Sequence, residues 1–340
     1  MREIPKDKIK RIIIRTSNWL GDVIMNLNTI ENIKQHFNNS TLTLLTPKNL
    51  EIIPRLFFPE TEILSADFNS KTDMKRITRE IKLNKYDLGI IFPLSFSSAY
   101  LFWKSNVKIR VGFNSELRGL FLNTKVPYSK KTFRECHLRK SFDLIFSNIS
   151  KKDTVQYQLT PKLNGENIKN TLSKFNLVSK PYFILAPGAT YGPAKRWNFN
   201  NFIDLANLIF SETGFTPVLT GLPNEIEITR EIPDNYINLI GRTSLEELVY
   251  LTNESKLFIS NDSGSMHIAD ALSKPLAVIF GSTNPSWTGP INKNSIVIKS
   301  DVACSPCYKK DCSFDFVCMN RINPDEVFEK IKKLLSKEGI

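Results

Sequence analysis

Asn261, Asp262, Ser263 and Gly264, with His267 three residues further on, form the densest run of ligand-directed atoms in the chain. The run follows the apolar stretch 256–259 and opens the helical pattern 268–272, so it occupies a strand-to-helix turn. At such a turn the first N–H groups of a helix lie unpaired at the positive end of its dipole, which suits a phosphate or sugar hydroxyls. The same residues also suit a plain helix cap, with Asp262 or Ser263 accepting hydrogen bonds from the first turn. Residues elsewhere must separate a binding site from a cap.

Three other turns are similarly equipped. In residues 187–197, Pro187, Gly188 and Ala189 expose backbone N–H groups, Thr190 offers a hydroxyl, and Lys195 and Arg196 add positive charge. That combination suits a diphosphate, against the alternative of a solvated basic loop. In residues 220–225 a glutamate, Glu225, follows a strand end as the acidic residue of a nucleotide site does when it grips ribose hydroxyls, a weak signal alone. In residues 16–22, Gly21 permits a tight turn and Asp22 starts a helix, where the dipole by itself would favour a carboxylate. A further turn, Gly281, Ser282 and Thr283, follows the next strand after Asp262.

The elements that must position these turns alternate in type. Residues 11–15, 41–45, 87–92 and 108–113 are short apolar runs with strand character, with helical spacing over 22–37 and 74–83 between them. The pattern restarts after a helix over 162–177, with strands at 182–186, 216–220, 237–240, 256–260 and 275–280 and helices at 199–210 and 245–252. Strands separated by helices predict an α/β protein of two doubly wound, Rossmann-like domains, each a parallel sheet with helices on both faces. The expected domains are 1–178 and 179–323, with a helix over 324–340 left to pack back on the first. Ligands in such sheets bind beyond the carboxyl ends of the strands, where all four turns fall, so the two domains are expected to face each other across a cleft. Neither the G-x-G-x-x-G fingerprint after the first strand nor a G-x-x-x-x-G-K-[ST] loop occurs, which disfavours an NAD enzyme and a P-loop ATPase.

The 340 residues are 41% hydrophobic and 24% charged, near the averages of soluble globular proteins. No apolar run approaches the roughly 18 to 20 residues of a membrane span, and the charged N-terminus does not read as a secretory signal, so a cytoplasmic protein is expected. The net charge of +12 favours anionic partners. Four of the five cysteines, Cys304, Cys307, Cys312 and Cys318, lie close together in sequence. Their spacing matches no standard zinc or iron–sulfur pattern, and a metal site, free thiols and a labile disulfide all stay open.

Taken together, the segments 17–22, 187–189 with 192–197, and 261–264 with His267 and the 281–283 turn resemble glycosyltransferase family nine, the bacterial ADP-heptose:lipopolysaccharide heptosyltransferases, nearest its heptosyltransferase II branch. The likeness runs in order and spacing from about residue 10 to 335. It implies the GT-B fold and an inverting transfer, with ADP-heptose held by the C-terminal domain and an anionic lipopolysaccharide inner core held by the N-terminal one. By position, Asp22 matches the family's general base and Lys195 the lysine that stabilises the departing diphosphate. Thr190, Arg196, Glu225, Asp262, Ser263, Gly264 and His267 fall on the donor side, and Gly21, Arg118 and His137 on the acceptor side.

The resemblance implies no metal and no required cofactor. It places the enzyme in the cytoplasm at the inner face of the inner membrane, in peripheral contact with it. A family member using a different core position or activated sugar is the near alternative. A basic nucleic-acid or metal-binding regulator is the remote one, and nucleic acid is not an expected partner, because no basic stripe with interleaved aromatics appears.

Overall fold

Three isoleucines between two arginines make up Arg11–Arg15 (β1), an apolar run with no polar alternation, and such a strand must be covered on both faces. In a computed structural model, which describes residues 3–228 and 232–339, Ile12, Ile13 and Ile14 are all buried at the centre of a sheet. The first unit, Met1–Lys162, continues through α1 (Leu20–His36), β2 (Thr41–Pro47), α2 (Ile52–Phe57), β3 (Glu62–Ala66), α3 (Lys71–Asn84) and β4 (Leu88–Ile91). It closes with α4 (Phe96–Lys104), β5 (Ile109–Phe113), β6 (Thr124–Val126), α5 (Lys130–Glu135) and α6 (Leu138–Ser150). The strand order is β3-β2-β1-β4-β5-β6, with every neighbouring pair parallel.

The second unit, Leu163–Ile340, begins with α7 (Gly165–Lys174), β7 (Tyr182–Ala186), α8 (Phe199–Thr213), β8 (Thr216–Leu219), β9 (Ile237–Asn238) and α9 (Leu245–Glu254). There follow β10 (Phe258–Asn261), α10 (Gly264–Ala271), β11 (Leu276–Phe280), α11 (Pro285–Thr288), β12 (Ser295–Lys299), α12 (Val317–Asn320) and α13 (Pro324–Lys337). Its order, β12-β11-β10-β7-β8-β9, is again parallel throughout and repeats the first arrangement strand for strand. In both sheets the direction of winding reverses at the first strand, between β1 and β4 and between β7 and β10. In open α/β sheets such a reversal point, beyond the carboxyl ends of the strands, is the usual ligand position.

Three strands escaped the reading of the sequence: β3, β6 and β12. Two form sheet edges next to β2 and β11, and β6 ends the first sheet beyond β5. These edge strands are short and only partly covered: Ser295–Lys299 has the apolar run Ile296-Val297-Ile298, yet of these only Ile298 is buried.

The units divide after Lys162, earlier than the boundary at 178 expected from the break at Lys180-Pro181. The reason lies in α7, whose end packs into the second core: Leu172 and Phe175 lie against a cluster containing Tyr182, Ile184 and Leu251. Lys174 also pairs with Glu247 of α9 at 2.6 Å. The terminal helix differs from expectation in the same way. Val327, Ile331, Leu334 and Leu335 of α13 are buried in one cluster with Phe202 and Ile209 of α8, so its apolar face belongs to the second unit.

Polar groups on α1 organise the first unit. Thr29 donates to Asp143 of α6 at 2.6 Å, and Asn32 both donates to the carbonyl of Val155 and accepts its N–H, each at 2.8 Å. Asn28 accepts from the N–H of Tyr157 at 3.0 Å, so the segment after α6 is strapped along α1 as a strand would be. His36 at the end of α1 is buried edge-on to Phe37 and Phe146. Burial, with Lys6 and Lys152 adding to it and Glu3 opposing, holds its imidazole below the ordinary range.

A histidine that resists protonation when folded stabilises the fold above its ordinary pKa of about 6.5, and that stability is lost as pH falls through it, because the unfolded chain then takes the proton more readily. Denaturant unfolding at pH 7.5 and 5.5 is therefore expected to show a smaller loss on acidification in His36→Asn than in the wild-type chain; equal losses would remove His36 as the source.

Candidate functional site

The reversal point of the second sheet collects the residues singled out from β7 and β10. Asp262, one residue past β10, is 4% exposed and engages three side chains. Its Oδ2 accepts from Lys195 Nζ at 2.5 Å and from Thr283 Oγ1 at 2.6 Å, and its Oδ1 accepts from Thr288 Oγ1 at 3.3 Å. The Asp262 N–H donates to Ile279 at 3.2 Å, which holds the carboxylate at the sheet edge. Lys195 Nζ also lies 5.1 Å from the centre of the Tyr191 ring. An ammonium has three protons, and Asp262 takes one, so the lysine is positioned with donors to spare.

This arrangement decides the question of the cap. Ser263 is the N-cap of α10 and makes no side-chain capping bond; its hydroxyl meets Ser265 instead, at 2.9 Å. The carboxylate beside it serves Lys195. The first N–H groups of α10, beginning at Gly264, thus have no side-chain cap, and His267 is buried in the first turn of the same helix. A helix start left in this state suits an anion.

Asn261 ties the two loops together. Its Oδ1 accepts from the Trp197 N–H at 3.0 Å and its Nδ2 donates to the carbonyl of Pro187 at 2.6 Å, clasping both ends of the 187–197 loop to β10. Within that loop Thr190 is exposed, and Arg196 donates to the carbonyl of Ala189 at 3.3 Å while its buried Nε has no hydrogen-bond partner. Thr220 Oγ1 and Ser282 Oγ, at neighbouring strand ends, are likewise buried without partners. Buried polar atoms are rarely left unmatched, and three around one sheet edge mark a place for a polar ligand.

Glu225 is buried against Gly188. It accepts the N–H of Leu222 at 2.8 Å, and a Cβ placed on Gly188 would lie 2.0 Å from its carboxyl carbon. A Cβ at 188 would force the Glu225 carboxyl to move, so the 187–197 loop and Glu225 are fitted to each other.

The cysteine-rich segment supports the same loop from outside. Lys310 accepts the Ala194 N–H on its carbonyl at 3.1 Å, Tyr308 accepts the Tyr191 hydroxyl on its carbonyl at 3.0 Å, and the Tyr308 N–H donates to Ser282 at 2.7 Å. Cys312 Sγ accepts the N–H groups of Phe314 and Phe316 at 3.3 and 3.2 Å. Burial, then the neighbouring Cys304, Cys312 and Cys307, pushes the Cys318 thiol up. Among the described residues no group of three or more His, Cys, Asp or Glu is arranged to hold a metal.

In the first unit, Asp22 is half-buried in the first turn of α1, directly after Gly21, and the turn before it is fixed by the Ser17 N–H donating to Asn26 at 2.9 Å. The same unit has two buried arginines, one at the end of β1 and one in the 3-10 turn Glu116–Leu120 that follows β5. Arg15, ending β1, donates to Asn18 and to the carbonyl of Thr16 and stacks 3.6 Å over Phe68. Arg118 donates to the carbonyl of Pro93, just past β4, and its Nε and Nη2 are buried without partners.

Burial lowers Arg15 to about 9 and Arg118 to about 10, with Glu116 slightly opposing the second. Among the described residues neither has a carboxylate within salt-bridge reach, so each is a desolvated cation suited to an incoming anion. His137 has a local task as well: it is the N-cap of α6, its Nδ1 accepting the Arg139 N–H at 3.2 Å.

Reading the sequence missed Thr288, Arg15 and the carbonyls of Tyr308 and Lys310. Thr288 and the two carbonyls come from segments with no strand-end signature. Arg15 was visible as a charge closing an apolar run, the one signal that could have marked it.

Residues 74–317 match the profile of glycosyltransferase family 9 (heptosyltransferase). The chain is 31% identical to a lipooligosaccharide heptosyltransferase 2 of Campylobacter jejuni, over 95% of this chain and 99% of that one. It is 28% identical to the lipopolysaccharide heptosyltransferase 2 of Salmonella typhimurium, over 97% and 100%. Among solved structures it is similar to the Escherichia coli ADP-heptose lps heptosyltransferase II, with a TM-score of 0.82 at 23% identity over 97% of this chain and 100% of that one.

The fit of Gly188 to Glu225 is open to a direct test. Gly188→Ala is expected to lower unfolding stability by about 1–3 kcal/mol through overpacking, and Glu225→Ala in the same chain to recover most of it. Additive losses in denaturant unfolding would show that the two do not meet.

Proposed function

The chain belongs to glycosyltransferase family 9, and on that premise we propose an inverting transfer of heptose from ADP-heptose to the Kdo- and heptose-containing inner core of lipopolysaccharide. The observation that carries the donor half is the buried Lys195–Asp262 pair beside the uncapped start of α10. In the proposed reaction the acceptor oxygen attacks the anomeric carbon, the bond from that carbon to the diphosphate oxygen breaks, and ADP leaves with the bonding electrons. Negative charge then grows on the β-phosphate, where Lys195 and the α10 N–H groups meet it. These groups supply the positive charge themselves, and the proposed reaction calls for no metal or other cofactor. Asp262 is a positioning residue: it aims Lys195 and leaves two of its protons for phosphate.

Glu225, set against the 187–190 backbone, takes the ribose hydroxyls, and Thr190, Arg196, Ser263, Gly264 and His267 complete the donor side. Asp22 receives the proton of the acceptor hydroxyl as the new bond forms. A sugar hydroxyl is a very weak acid, so transfer to a carboxylate accompanies bond formation and does not precede it. Arg118 and Arg15 bind acid groups of the acceptor, whose arrival relieves two buried, unpaired cations. Gly21 lets that acceptor approach the backbone at the start of α1, and His137 shapes the acceptor side through the start of α6.

The acceptor is anchored in lipid, so the proposed workplace is the cytoplasmic face of the inner membrane, reached by peripheral contact. Among the described residues no helix is long and apolar enough to cross a membrane.

Asp22→Asn is expected to lower transfer by about 10²- to 10⁴-fold while the thermal shift given by ADP stays at its wild-type size. Lys195→Ala is expected to lower kcat by about 10²- to 10³-fold, the usual cost of one transition-state charge partner. Product analysis with ADP-heptose and a defined inner-core acceptor reads both. Full transfer by Asp22→Asn would remove it as the base, and a larger thermal shift with UDP or GDP than with ADP would redirect the donor assignment.

A further inference from the structure

Helix α4 has two apolar faces. Ala99, Leu101 and Phe102 are buried in the first core, while Phe96, Tyr100 and Trp103, at positions i, i+4 and i+7, form a second stripe that is 43%, 37% and 47% exposed. A helix that is apolar all round is normally enclosed. Here the outer stripe is extended by Phe121, whose ring lies 5.0 to 5.3 Å from those of all three, and by Leu117 and Leu120 of the adjoining 3-10 turn, exposed by 70% and 77%. These six side chains make a contiguous apolar patch that nothing in the first unit covers, and such patches mark interaction surfaces.

The charge around the patch indicates its partner. Lys104 Nζ lies 5.7 Å from the centre of the Tyr100 ring, Arg110 donates to the carbonyl of Phe121 at 2.6 Å, and the Lys125 side chain approaches Gly119 between Arg118 and Leu120. Residues 96–125, which carry the patch, contain five Lys or Arg and one acidic residue, Glu116. Trp and Tyr are the side chains that settle at a bilayer interface, with an apolar body in the acyl boundary and a polar edge among headgroups. Flanking cations add attraction to an anionic leaflet, and such attraction weakens with salt.

We propose that the outer face of α4, with Leu117, Leu120 and Phe121, docks the protein on an anionic lipid bilayer. Tyr100 and Trp103 insert to headgroup depth, and Lys104 and Lys125 contact lipid phosphates. The proposal deepens the functional reading above, in which the acceptor is held in such a bilayer, by assigning the residues that make the contact.

Co-sedimentation of the full chain with phosphatidylglycerol–phosphatidylethanolamine vesicles, and with phosphatidylcholine vesicles, tests it. The wild-type chain is expected to bind the anionic vesicles selectively and less well as salt rises. The variant Tyr100→Ser, Trp103→Ser, Leu120→Ser is expected to lose roughly tenfold or more in partitioning, having lost the inserting area. Lys104→Glu with Lys125→Glu is expected to weaken binding to anionic vesicles alone. Circular dichroism and unfolding of each variant verify that it is folded.

Unchanged partitioning in the folded serine variant would overturn the proposal. So would a wild-type dimer in solution that the same substitutions dissolve, since the patch would then be covered by a second copy. Failure of the functional reading is distinguishable: the wild-type chain would then transfer nothing to a deacylated, soluble inner-core acceptor, while its selective vesicle binding and the loss in the serine variant would stand.

Discussion

A strand that runs parallel to its neighbour can be reached only by a crossover, and in this chain helices make most of those crossovers. Every strand-to-helix turn of a unit is therefore delivered to one edge of its sheet. All the assigned chemistry depends on this constraint. The order β3-β2-β1-β4-β5-β6 and its repeat in the second unit add a point where the winding reverses, and the turns after β7 and β10 lie side by side there. Lys195 and Asp262 are 67 residues apart in the chain and meet because β7 and β10 are adjacent.

The charges at these two edges are arranged differently. In the second unit a buried carboxylate is matched by an ammonium and two hydroxyls, so little is left unsatisfied at Asp262 itself, and what stays open is the helix start and the spare protons of Lys195. In the first unit the balance is left incomplete. Among the described residues Arg15 and Arg118 have no carboxylate in salt-bridge reach, and burial lowers both. A buried cation in that condition costs stability in the empty protein and gains most from an anion that arrives with its own negative charge. One unit thus leaves a helix start and spare protons of an ammonium open, and the other holds two buried cations with no carboxylate partner among the described residues.

The loop that carries Lys195 is held from three sides. Asn261 clasps its ends, Glu225 fills the space beside Gly188, and the segment around Tyr308 and Lys310 receives its outer hydrogen bonds. The cysteine-rich segment has this structural task. Its backbone lies against the loop and its Cys318 thiol lies near the Gly281 turn.

Local sequence determined the repeat of two α/β halves, the central strands and the turns that bear functional groups, because an unbroken apolar run such as Ile12–Ile14 and a turn such as 261–264 are signals contained within a few residues. It did not determine the edge strands β3, β6 and β12, whose mixed composition is settled only by what they pair with. Nor did it determine where the chain divides: α7 precedes Lys180-Pro181 in sequence, yet its apolar face matches the second core.

At the site, the residue types of Asp262, Lys195 and Glu225 were legible, but their partners were not. Whether Asp262 caps α10 or holds Lys195 depends on Thr283, Thr288 and the Lys195 loop all arriving at the same carboxylate, a long-range fact of strand order. The same holds for Arg15, which the sequence shows only as a charge closing an apolar run, and for Arg118, which the family resemblance alone marked; that both are buried is set by the folded unit. Hydrogen bonding and desolvation depend on distance in space, and only the tertiary structure sets that distance.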